Sequence, residues 1–139
     1  MYDTILVATD GSQHASRAIV HALEQAETHG AVLHGIFVVD TTRFDDPAIS
    51  TSELATNDME DRGQQYLDDI RTRADGLDVE FTGRCCHGRP HEEITRYADS
   101  IDADLVVLGY QGQSHTETET IGSVTDRVVR TVGRPILVV

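Results

Sequence analysis

Asp104-Leu105-Val106-Val107-Leu108-Gly109-Tyr110-Gln111-Gly112 leads, after the nine residues Gln113 to Ile121, into Gly122-Ser123-Val124. The apolar run between Asp104 and Gly109 reads as a strand buried on both faces. From Ser123 the stripe Val124, Val128, Thr131 and Val132 has helical spacing, and Gly133 stops it. The polar stretch from Tyr110 to Ile121 between them is a loop. The segment is therefore strand, loop, amphipathic helix, and Pro135 to Val139 reads as one more strand.

The same alternation runs back to the start of the chain. Thr4-Ile5-Leu6-Val7-Ala8 reads as a buried strand. Ser12 can cap a helix striped by Ala15, Ala18, Ile19, Ala22, Leu23 and Ala26, with Gly30 as its stop. Ala31 to Val39 is a second strand, and residues 40–51 read as a loop holding Pro47. Leu54 opens a helix with Met59, Tyr66, Leu67, Ile70 and Ala74 on one face, closed by Gly76. Val79 to Cys86 is a third strand. Pro90 suits the first turn of a helix carrying Ile94, Tyr97, Ala98 and Ile101. The order is β-α-β-α-β-α-β-α-β over residues 1–139, read as one α/β domain. Strands apolar on both faces, joined by amphipathic helices, predict a doubly wound parallel sheet in a three-layer α/β/α sandwich. Such sheets bind ligands outside the carboxyl ends of their strands, where the winding reverses. The loops after the first and fourth strands are the ones that matter.

The loop after the fourth strand has the spacing G-x2-G-x9-G-S. Gly109 and Gly112 would let backbone approach a ligand, and Gly122, Ser123 and Val124 would offer free amides at a helix N-terminus, which favours phosphate. The competing reading is a long flexible loop with Ser123 and Asp126 as an ordinary capping pair. After the first strand, Asp10 could accept a hydrogen bond from an adenine amine or a ribose hydroxyl. Equally, Asp10 and Ser12 could do no more than organise the turn. The stretch Gly88-Arg89-Pro90 is explained by turn chemistry, with Arg89 within reach of an anion. This is no Walker A loop: it lacks GK[ST].

Composition excludes several classes. The 24 Asp+Glu outnumber 11 Lys+Arg, giving a net charge of −13, and every basic residue is Arg. Nothing here neutralises a run of nucleic-acid phosphates, nor an anionic membrane surface. No apolar run approaches the ~20 residues of a membrane span. Met1-Tyr2-Asp3-Thr4 lacks signal-peptide regions, which predicts a cytoplasmic protein. The lysine-free acidity predicts a halophilic surface suited to a salty cytoplasm. Cys85 and Cys86, being adjacent on a strand, point to opposite faces and read as reduced structural residues.

The chain resembles the universal stress protein family over nearly its whole length. The resemblance is carried by Ile5-Leu6-Val7-Ala8-Thr9-Asp10-Gly11-Ser12, Phe37-Val38-Val39-Asp40, Gly88-Arg89-Pro90, Ala103 to Gly109, Gly122-Ser123-Val124-Thr125-Asp126-Arg127-Val128 and Arg134 to Val139. The glycine spacing is that of the family's ATP-binding branch. The resemblance implies a Rossmann-like, adenine nucleotide alpha hydrolase-like fold with strand order 3-2-1-4-5. It implies that Asp10 and the backbone of Val38 face adenine and ribose. It further implies that Gly109, Gly112, Gly122, Ser123 and Val124 hold ribose and phosphates. It also implies a homodimer paired through Ile136, Leu137, Val138 and Val139. One departure stands out: the loop carries Glu117 and Glu119 where relatives place basic residues. Binding of ATP or another adenine nucleotide would then lean on Mg²⁺ or Mn²⁺.

No catalytic constellation is visible. Of the seven histidines, His14, His21, His29 and His34 read as surface or structural, and His87, His91 and His115 lie nearer the ligand face. No pair has metal-ligand spacing. The expectation is a nucleotide-dependent stress or signalling switch. The alternatives are a slow ATP hydrolase on the same site, or a partner-binding module whose site stays empty.

Overall fold

The computed structural model describes residues 1–41, 49–111 and 121–139, with side chains described from 57 onward in the second helix. Its elements are β1 (Thr4–Ala8), α1 (Gln13–His29), β2 (Val32–Asp40), α2 (Ile49–Gly76), β3 (Phe81–Gly88), α3 (Pro90–Ser100), β4 (Leu105–Leu108), α4 (Ser123–Thr131) and β5 (Ile136–Val138). The five strands form one parallel sheet in the order β3-β2-β1-β4-β5. Both the expected architecture and the strand order are present.

Two apolar layers cover the sheet, and strand alternation sorts residues between them. Ile5, Val7, Leu33, Phe37, Val39, Leu105 and Val107 pack with α1 and α2. Leu6, Ile36, Val106 and Leu108 pack with α3 and α4. Every residue of β4 is buried, which is why that run shows no polar alternation. Helix α1 begins where Ser12 Oγ accepts from Ala15 N and ends at Gly30 in the left-handed region.

Several boundaries differ from the sequence reading. Helix α2 starts at Ile49 rather than Leu54. The Ser- and Thr-rich stretch that precedes Leu54 resembles a loop by composition but takes up helix. Strand β3 starts two residues late. Val79 N donates to Ala74 O at 2.9 Å, closing the turn that ends α2, while Asp78 takes a positive φ of 55°. Val79 is thus buried by a turn, and apolar character alone placed it in the strand. At the other end β3 runs on to Gly88 because it follows β2, pairing His87 with Val39 and Gly88 with Asp40.

Candidate functional site

The winding reverses at β1, with β2 on one side of it and β4 on the other. Beyond the carboxyl end of β1 the chain turns through Thr9, Asp10, Gly11 and Ser12. Asp10 Oδ1 accepts from Ser12 N at 2.9 Å, and Ser12 Oγ accepts from Ala15 N at 3.1 Å. One carboxylate oxygen therefore does organise the turn. Gly11 has φ 80°, and a Cβ there would lie 2.3 Å from the Tyr66 ring of α2. The α2 helix thus flanks this arm of the site at close range. β2 continues past its last β1 partner, the Ala8–Ile36 pair, which leaves Val38 standing beyond the end of β1.

The other arm leaves β4. Gly109 is glycine for a reason the sequence did not give. A Cβ on it would meet the His14 carbonyl carbon at 2.8 Å and Ala15 N at 2.9 Å, so its bare Cα is where the first turn of α1 rests. Its carbonyl accepts from the buried Thr125 Oγ1 at 2.7 Å, which anchors α4 to the strand end. The neighbouring Tyr110 is bound on both sides of its peptide. Its N–H donates to Val139 O at 2.7 Å, and its carbonyl accepts from Gly122 N at 2.8 Å. One residue thus links the edge strand to the start of α4.

Helix α4 is opened by Gly122 in an extended conformation, and among the described residues no side-chain hydrogen bond caps it. The Ser123–Asp126 capping pair is not formed: Asp126 pairs with Arg130 at 3.1 Å instead. Among the described residues no side chain takes the first amides of α4, which stand at the positive end of the helix dipole, the arrangement that receives anions. Gly122 is buried, Val124 half-buried and Ser123 exposed. Gly112 lies outside the described residues, as do His115, Glu117 and Glu119.

The universal stress protein family model matches residues 1–139. The chain belongs to the universal stress protein family. A universal stress protein of Methanocaldococcus jannaschii is 33% identical over 140 residues, covering 100% of this chain and 82% of that one. The solved structure of a universal stress protein from Lactobacillus plantarum superposes with TM-score 0.87 at 26% identity, over 99% of this chain and 97% of that chain. A universal stress protein in complex with cAMP superposes with TM-score 0.70 at 26% identity, over 99% and 96%.

Within this family frame, the fold brings Asp10, Val38, Gly109, Gly122, Ser123 and Val124 to one end of the sheet. Two polar residues with work to do there were missed in the sequence, Thr125 and His14. Thr125 had a signal: it precedes Val128 and Val132 by three and seven positions, which puts it on the buried stripe. Arg89, the side chain expected to reach an anion, instead lies 3.8 Å from Glu92 with both groups exposed. His87 pairs with Glu60 on α2. Burial pushes both the Cys85 and Cys86 thiols up, with Glu60 adding to the effect on the first and Glu93 on the second. Neither cysteine is disulfide-bonded. No helix among the described residues is long and apolar enough to cross a membrane.

Proposed function

We propose that the protein binds an adenine nucleotide, ATP in the first instance, between the Asp10 turn and the start of α4, and that binding acts as a switch through a homodimer. The N-terminus of α4, which no side chain caps among the described residues, is the observation that carries this reading. Helix amides left open and anchored to a neighbouring strand by Thr125 suit a phosphate group. Asp10, just past the end of β1, would accept from the base or ribose. A family member solved in complex with cAMP supports an adenine ligand for this fold.

A divalent ion would come to this site only as a companion of the nucleotide. Among the described residues no group of three or more His, Cys, Asp or Glu could hold a metal. Mg²⁺ or Mn²⁺ would take its ligands chiefly from phosphate oxygens and water, as Mg²⁺ commonly does. When bound it would screen phosphate charge that a lysine-free chain meets only with amides and arginines. The dimer surface is the free edge of β5, where Val138 is exposed. An apolar edge strand left open invites pairing with another copy.

Calorimetric titration with ATP, with and without Mg²⁺, tests the site. Gly122→Val should abolish binding while leaving the unfolding transition in place, because it puts a branched side chain where the phosphate would approach. Unchanged affinity in this variant would refute the site. Val138→Asp should shift the dimer to monomer in sedimentation, and an undisturbed dimer would rule out β5 as the interface. Phosphate release on prolonged incubation, lost in Asp10→Ala, would favour the slow-hydrolase alternative.

A further inference from the structure

His14 reads in the sequence as a surface or structural position of the first helix, and the fold sets it between both arms of the site. It stands two residues after Ser12, on the first turn of α1. Its backbone and Cβ are the atoms that crowd Gly109, within 2.8–3.0 Å of where a Cβ would be. Its ring faces that of Tyr110, with centroids 6.2 Å apart and planes tilted by 53°. The residues it touches are thus the ones whose carbonyls anchor Thr125 and Gly122.

One observation sets this imidazole apart. Its Nδ1 is buried and has no hydrogen-bond partner among the described residues. Native proteins seldom leave a buried polar atom in that state, and each case calls for an account. A ring placed for its own hydrogen bonding would not turn Nδ1 inward. A buried bare lone pair is also better tolerated than a buried N–H without an acceptor. With the proton on Nε2, the atom turned inward is a bare lone pair. The residue as a whole is only half-buried, and Nε2 is the edge left to carry the exposure.

We propose that His14 is a further ligand-binding residue, donating its Nε2–H to a ribose-phosphate oxygen of the nucleotide beside Gly109. The inference rests on the nucleotide reading above and adds a side-chain donor to a site otherwise built from amides. In a chain with no lysine, it would supply a directed contact that a cationic side chain could have made.

The test titrates ATP into the wild type, His14→Ala, His14→Gln and, as a control on the same helix, His21→Ala. His14→Ala should bind about tenfold more weakly, the loss of one hydrogen bond to a charged group. His14→Gln keeps an N–H donor and should recover part of the loss, while His21→Ala should match the wild type. Should His14→Ala fail to fold, ¹⁵N spectra of the wild-type imidazoles decide, because ATP should move the Nε2 signal of His14 and leave that of His21 in place. Wild-type affinity in folded His14→Ala, or an unmoved His14 signal at saturating ATP, would overturn the proposal. Absence of ATP binding by the wild type would instead sink the nucleotide reading, and this inference with it.

Discussion

Gly109 shows how a residue can be noticed for one reason and required for another. Its spacing marks it as a place where backbone might approach a ligand. In the fold its missing Cβ is filled by the backbone of α1, with the His14 carbonyl carbon 2.8 Å from the empty position. Backbone of a helix cannot give way as a flexible side chain can. Gly109→Ala should therefore lower the unfolding free energy by about 1–3 kcal/mol, the usual cost of overpacking. Urea denaturation would measure it, and an unchanged midpoint would show that α1 yields freely. Asp10, by contrast, was legible as a residue but not as a role. Sequence offered turn-former and ligand-acceptor as equals, and the bond from Ser12 N establishes the first without touching the second. The place of His14 was unreadable because it packs against Gly109 and Tyr110, just past β4 and far away along the chain.

Elements were legible where a single period dominated. The stripe of α1 and the buried run of β4 lie where they were expected. Misreadings came where two effects share residues. Val79 is apolar and buried, yet its N–H serves the end of α2 rather than the sheet. The packing of α2 was also hidden, since it depends on notches: a Cβ on Gly63 would lie 2.3 Å from the ring of Phe37. Between β2 and α3 lies a contact with a measurable consequence. His34 Nδ1 is 2.9 Å from Tyr97 Oη, and burial pulls the histidine below its ordinary 6.5, with Glu80 opposing. The unfolded chain then binds the proton more readily than the folded one. Stability is full above about pH 6.5 and is lost as pH falls from there toward the folded value. Thermal melts between pH 8 and 5 should show this decline, and His34→Gln should flatten it. An equal slope in both proteins would mean that other groups carry it.

At the scale of the molecule, topology was the most legible property and charge the most suggestive. Five strand runs with helices between them leave few parallel arrangements, and the family resemblance pointed to the order that the sheet adopts. The net charge of −13 acts on the whole particle. Like charges repel more in the compact state than in the expanded one, and salt weakens that repulsion. The melting temperature should thus rise steadily from dilute buffer to molar KCl. A melting temperature indifferent to salt would argue that the acids are already balanced locally, as Asp126 is by Arg130 and Asp99 and Asp102 are by Arg134.

The parallel sheet also has a mechanical consequence. Thr4, at the start of β1, and Val138, at the end of β5, lie at opposite ends of strands that run the same way, with β4 between them. Tension applied between those two residues runs along the strands, so both intervening ladders are loaded in shear and must yield together. Tension between Val138 and Gly88, both at the carboxyl end but on opposite edges, pulls across the sheet and opens one ladder bond at a time. The same molecule would be stiff along one axis and would unzip along the other.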